Sequence, residues 1–180
     1  VAPRAVIVGP PGSGKTTVGR LLAEALSVGF RDTDADVETR AGTSVSDIFS
    51  AHGEAAFRAM EEESVAVALA EHEGVLALGG GAVLSETTRA LLAGHPVVFL
   101  AVGMAEGVRR TGMSSARPLL AGFNPRATYK ALLDARLPIY REVATLEVDT
   151  DGSDPPAVAA EIARRLADLA DDAAAPEPGP

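Results

Sequence analysis

The chain has 180 residues, a net charge of −9 and no cysteine. That length supports one domain with a sizeable core. The missing cysteines exclude disulfides, thiolate metal sites and cysteine nucleophiles, and the acidic balance argues against nucleic acid, whose phosphates demand a basic footprint. With no apolar stretch of about 18 residues and no basic-then-apolar leader, the sequence reads as a soluble, cytoplasmic protein with no membrane partner.

Ala5-Val6-Ile7-Val8 is a short apolar run of the kind buried on both faces of a parallel sheet. Directly after it comes GPPGSGKTT, in which Gly9, Gly14, Lys15 and Thr16 fit G-x-x-x-x-G-K-[ST]. Val18, Leu21, Leu22, Ala25 and Leu26 then fall on one helical face. Strand, glycine loop and helix therefore occur in the order a phosphate-binding loop requires. Such a loop presents unpaired amides at a helix start, here from Gly12, Ser13, Gly14 and Thr17, and glycine lets them approach an anion. Lys15 is expected to reach the β- and γ-phosphates and Thr16 to ligate Mg²⁺.

Further strands are expected at 29–32, 75–78, 97–102 and 146–148. Helices are expected at 45–49, 54–71, 86–92, 105–111, 125–141 with a bend at Pro138, and 155–170. The alternation predicts an α/β fold with a parallel sheet. Segment 112–124 has no clear period and reads as a mobile flap around Arg117. The proline-rich, acidic residues 171–180 are expected to be disordered.

In such a sheet ligands sit beyond the carboxyl ends of the strands, so the residues there are the candidates. After the second strand stand Asp32 and Asp34, which point the same way if the strand persists. Asp32 can then help hold hydrated Mg²⁺ while Asp34 faces an acceptor hydroxyl; alternatively Asp34 or Asp36 caps a helix. After the third stand Gly79, Gly80 and Gly81, which suit close backbone approach to a ligand or a plain tight turn. Arg58 has Glu54, Glu61 and Glu62 at helical spacing and Phe49 and Phe57 nearby. It reads either as surface pairing or as a guanidinium receptor for a small carboxylic acid. Between Arg109 and Arg141, seven basic residues face one acid, Asp134. Arg109, Arg126, Lys130 and Arg141 suit a solvated face, leaving Arg110, Arg117 and Arg136 for a small anion.

Taken together, GPPGSGKTT, DTDADVE at 32–38, EAAFRAMEEE around Arg58, LGGGAV at 78–83, RPLL at 117–120 and RLPIYREVA at 136–144 make the chain resemble the shikimate kinases. The resemblance runs from about Arg4 to Ala170. It implies a three-layer α/β/α phosphate-loop fold of the nucleoside-monophosphate-kinase kind, with a central five-stranded parallel sheet. A single domain over 1–170 would carry a substrate lobe near 32–61 and a lid near 112–124. It further implies a monomer that transfers the γ-phosphoryl of MgATP to the 3-hydroxyl of shikimate.

In that family's terms Asp34 would bind and help deprotonate the acceptor, Arg58 and Arg136 would grip its carboxylate, and Gly79 to Gly81 would line its ring beside Phe49 and Phe57. Lys15 and Arg117 would meet the transferring phosphate, and Thr16 and Asp32 would serve magnesium. The adenine site would use Arg110 and the loop at 150–156, which here carries Asp151 and Asp154 and no basic residue, although Pro155 can pack on a base.

Two rivals remain. A kinase of another small polyol or acid such as gluconate would share loop, lid and fold. A nucleotide switch would need an N-K-x-D motif, and the sole asparagine, Asn124, is followed by proline.

Overall fold

The structure is a computed structural model that describes residues 1–111 and 124–176. Five parallel strands, β1 (Ala5–Val8), β2 (Phe30–Asp32), β3 (Val75–Ala77), β4 (Val97–Ala101) and β5 (Leu146–Asp149), form one sheet in the order β2-β3-β1-β4-β5. The central strand β1 shows why its run of four apolar residues works. Ala5 and Ile7 face a core built with Val18, Leu22, Val158 and Ile162, while Val6 and Val8 face another built with Val65, Leu76, Phe99 and Tyr140. The first core is covered by α1 (Lys15–Ala25) and α7 (Pro155–Ala174), the second by α3 (Val45–Glu71) and α6 (Pro125–Val143). Full burial of a side chain such as Leu22 or Ile162 stabilises this three-layer packing by about 1.5–3 kcal/mol each.

Several expectations need correction. Strand β2 does not persist past Asp32: a helix absent from the sequence reading, α2 (Thr33–Ala41), begins there. Its N-cap is Asp32, whose side chain accepts from the Asp34 amide at 2.9 Å, so neither Asp34 nor Asp36 is the cap. Asp36 instead pairs with Arg31 at 2.7 Å.

The two helices expected at 45–49 and 54–71 meet in α3, whose path breaks at Gly53, held at φ 84° where glycine carries no Cβ penalty. Helix α6, expected at 125–141, is one helix across Pro138 and extends to Val143. Helix α7 continues to Ala174, into the segment expected to be disordered. Its caps explain the reach: Asp154 accepts from Ala157 N–H at 2.9 Å, prolines open the first turn, and Ile162, Leu166 and Leu169 keep one face against the core. The remaining helices are α4 (Glu86–Leu92) and α5 (Met104–Thr111).

Two small apolar clusters stand apart from the main core. Val37, Ile48 and Phe57 join α2 to α3, and Val102 and Tyr129 join the end of β4 to α6. Each fixes a separate piece of the rim at the carboxyl ends of the strands. Of the flap expected at 112–124, residues 112–123, Arg117 included, lie outside the described residues, and Asn124 is the N-cap of α6.

Candidate active site

The loop between β1 and α1 makes one half of the rim. Helix α1 starts at Lys15 behind Gly14, which sits at φ 86° and offers no side-chain cap to the start of the helix. Gly12, at φ 81°, lies so close to α5 that a Cβ there would stand 2.8 Å from the Thr111 methyl. Lys15 is buried, and its Nζ donates to the carbonyls of Gly9 at 2.8 Å and Pro10 at 3.0 Å. Around this turn lies a recess of about 250 Å³ lined by Gly12, Gly14, Lys15, Thr16, Thr17, Arg110 and Thr111. At its edge Thr16 Oγ1 donates to Asp32 Oδ2 at 3.0 Å. Thr16 and Asp32 thus lie side by side at the start of α2, and no strand continues to Asp34.

A second recess, about 230 Å³, adjoins the first and is lined by Ser13, Gly14, Thr17, Val18, Arg110, Thr150, Ser153, Pro155 and Val158. Neither Asp151 nor Asp154 lines it. The Asp151 carboxylate accepts from the Gly103 amide at 2.9 Å and the Asp154 carboxylate caps α7. Arg110 is held across the two recesses, giving Nε to Glu106 at 2.9 Å and Nη1 to the Gly12 carbonyl at 2.9 Å. Glu106 also binds Arg109, and hydrogen bonds from Arg109 and then Arg110 hold its carboxyl down at about 2.

The other half of the rim is assembled from distant segments. Asp34 projects from the first turn of α2, and Glu61 from α3. Both approach Gly79 so closely that a Cβ on Gly79 would lie 2.6 Å from an oxygen of each. A Cβ on Gly81 would collide with the Arg58 guanidinium. The run does form a turn, closed by the Ala82 amide donating to the Gly79 carbonyl at 3.0 Å, and its lack of Cβ atoms permits this close approach by side chains.

Arg58 is half-buried. It gives Nη1 to Glu61 at 2.8 Å, reaches Glu54 at 3.5 Å, and stands 5.3 Å from the Phe57 ring centroid. Phe57 belongs to the small core with Val37 and Ile48, and Phe49 leans on it with ring centroids 4.8 Å apart. The two phenylalanines thus back Arg58 as a wall. Arg136, only 6% exposed, hydrogen-bonds the Tyr140 hydroxyl, which donates to the Gly80 carbonyl.

Glu61 escaped the sequence reading as a site residue. It is 2% exposed, and burial pushes its carboxyl above the ordinary range despite the opposing pull of Arg58. The signal was there: Phe57, Glu61, Ser64, Val65 and Ala68 form the buried stripe of α3, so an acid sits at a core position. Tyr129 and Tyr140 were missed as well. By contrast Arg109, Lys130 and Arg141 do form exposed ion pairs, with Glu106, Asp134 and Glu147, as a solvated face requires.

Among the described residues no helix is long and apolar enough to cross a membrane, and no cluster of three or more His, Cys, Asp or Glu side chains could hold a metal by itself. Thr16 and Asp32 offer oxygen donors of the kind Mg²⁺ accepts while it keeps water and phosphate as its other ligands.

Comparison with known proteins agrees with this arrangement. A family model described as Shikimate kinase matches residues 11–167. A shikimate kinase of Saccharopolyspora erythraea is 69% identical over 92% of this chain and 95% of its own, and one of Salinispora arenicola is 60% identical over 93% and 99%. Among solved structures, a shikimate kinase from Acinetobacter baumannii in complex with shikimate superposes with a TM-score of 0.90 at 35% identity, covering 94% of each chain. Phosphate loop, five-stranded parallel sheet and paired arginines beside a glycine run are thus found together in a chain that belongs to the shikimate kinase family.

Proposed function

We propose that this chain carries out its family's reaction, a step of the shikimate pathway, by transferring the γ-phosphoryl group of MgATP to the 3-hydroxyl of shikimate, giving shikimate 3-phosphate and ADP. The observation that carries the reading is the acceptor half of the rim. Two guanidiniums, Arg58 and Arg136, flank a glycine run opposite the Asp34 carboxylate, next to the phosphate loop. Planar guanidiniums with little access to water suit a carboxylate that accepts paired N–H bonds. A neutral sugar would give these guanidiniums no carboxylate beyond those of the protein itself, such as Glu61 and Glu54 on Arg58.

The roles follow from placement. Shikimate lies over Gly79 to Gly81 with its carboxylate on Arg58 and Arg136, and Phe49 and Phe57 stiffen the wall behind. Asp34 accepts the proton of the 3-hydroxyl as its oxygen bonds to the γ-phosphorus. The bond from that phosphorus to the β,γ-bridging oxygen breaks, and the electron pair leaves with ADP. The amides of Gly12, Ser13, Gly14, Lys15, Thr16 and Thr17 cradle the phosphates, and Lys15 exchanges its loop carbonyls for phosphate oxygens. Mg²⁺ would be held by Thr16 and, through water, Asp32, where it neutralises phosphate charge. Arg117 supplies positive charge to the transferring group.

The recess between Arg110 and Pro155 takes the adenine. Its uncharged lining at Thr150, Ser153 and Val158 suits a base, since Asp151 and Asp154 are engaged elsewhere. The enzyme acts as a cytoplasmic monomer whose single domain spans 1–170. The test is ADP release with shikimate, quinate, gluconate and nucleoside monophosphates side by side. Shikimate should exceed every other acceptor in kcat/KM by at least about 10²-fold. Comparable turnover of gluconate would overturn the assignment.

A further inference from the structure

The chain contains two tyrosines, Tyr129 and Tyr140, and both lie on α6. Their spacing is about three helical turns, and Arg136 falls on the same face between them. Each is 1% exposed. Each donates its hydroxyl to a backbone carbonyl in a different half of the site: Tyr129 to Pro11 of the phosphate loop at 2.7 Å, Tyr140 to Gly80 of the acceptor rim at 2.5 Å. Burial raises both phenols, Tyr140 to about 12, so both stay protonated donors at any working pH.

Neither ring has room to drift. Tyr129 presses on Gly107 of α5, where a Cβ would collide with the phenol, and Tyr140 stacks on Phe99 of β4 with ring centroids 5.0 Å apart. The two carbonyl-bearing segments also touch, since a Cβ on Gly80 would stand 3.1 Å from Pro11 Cδ. Helix, phosphate loop and glycine run thus close into a ring of contacts with a tyrosine at each joint to the helix.

We propose that Tyr129 and Tyr140 are positioning residues that set the nucleotide half and the acceptor half of the site against one rigid helix. Tyr129 fixes the height of the phosphate loop. Tyr140 fixes Gly80 and, through its hydrogen bond to Arg136, the carboxylate grip. The inference rests on the assignment of ATP to the loop and shikimate to the glycine run. A merely structural pair would affect folding without regard to ligand. Positioning residues affect each ligand separately, because an ångström of misplacement at one half need not reach the other.

The test is a pair of single-oxygen deletions, Tyr129→Phe and Tyr140→Phe, assayed with both substrates varied. Loss of one buried hydrogen bond should raise one KM by roughly tenfold. Tyr129→Phe is expected to raise the KM for MgATP and leave that for shikimate within about twofold; Tyr140→Phe is expected to do the reverse. Both KM values rising together in each variant, or neither moving, would overturn the proposal.

Wild-type enzyme with ring-labelled tyrosine gives a second readout that needs no variant to fold. It carries two tyrosine signals, of which MgADP should shift Tyr129 and shikimate Tyr140. Equal response of both signals to both ligands would also overturn it. Wild-type turnover in the same assay separates this outcome from a wrong acceptor: if shikimate is not phosphorylated, the functional reading fails first, while the MgADP response of Tyr129 still tests its own half.

Discussion

The two halves of the rim are built on opposite plans. The phosphate half is mostly backbone: nine consecutive residues, three of them glycines, that turn from β1 into the start of α1. The acceptor half is almost wholly side chain. Asp34, Arg58, Glu61 and Arg136 arrive from three helices around a glycine run, and two of the four charges, Glu61 and Arg136, are nearly sealed from water. A backbone site draws its field from peptide dipoles and needs no counter-charge. A side-chain site must balance its own charges until substrate comes, and Glu61 does so for Arg58. Generic phosphate chemistry can therefore rest on a local motif, whereas acceptor choice requires the whole fold.

Each half can be broken separately. Lys15→Ala should give the largest effect, lowering kcat by about 10³-fold or more while the melting temperature stays within a few degrees, because the lysine acts on charge that develops during transfer. Steady-state kinetics beside a thermal melt checks this, and near-normal kcat would mean that the loop has been misassigned.

Glu61→Gln should act on the other half alone. Without the carboxylate, Arg58 loses its 2.8 Å anchor, and the KM for shikimate should rise about tenfold with the KM for MgATP unchanged. An equal rise in both would dissolve the distinction between the halves.

The smallest effect is one of stability. Burial raises the Glu61 carboxyl above its ordinary 4.5, so over the window from that value upward the folded chain binds more protons than the unfolded one. Stability contributed by this group therefore falls as pH rises through the window. Glutamine does not titrate. The melting temperature of Glu61→Gln relative to wild type should thus shift by a few degrees in the variant's favour between about pH 4 and pH 7. A gap that stays constant with pH would mean that Glu61 is not raised.

What the sequence disclosed follows the same division. The phosphate loop and the strand before it are contiguous, so their pattern survives without tertiary knowledge, and the alternation of strands and helices led directly to the parallel sheet. Helix α2 was hidden because Thr33, Val37 and Ala41 give it too thin an apolar stripe; its cap and its contact with α3 supply what periodicity lacked. Asp32 and Asp34 were paired for the wrong geometric reason, since a strand rule does not hold across a helix start. Glu61 looked like one acid among several around Arg58, and only packing distinguishes it from the exposed Glu54. The loop at 150–156 read from sequence only as acidic, because sequence cannot show that Asp151 and Asp154 are spent on backbone amides. The tyrosines carried a legible spacing, but the carbonyls they reach lie 118 and 60 residues away.

The central claim is that Arg58 and Arg136 select the acceptor by its carboxylate. The most direct measurement compares shikimate with its analogue whose carboxylate is reduced to an alcohol, in wild type and in Arg136→Ala. Wild type should lose about 10³-fold or more in kcat/KM for the alcohol, because it forfeits the paired N–H bonds from two guanidiniums to a carboxylate, and Arg136→Ala should lose far less because the grip is already broken. If wild type phosphorylates the alcohol as readily as the acid, the clamp does not exist and a neutral polyol becomes the acceptor.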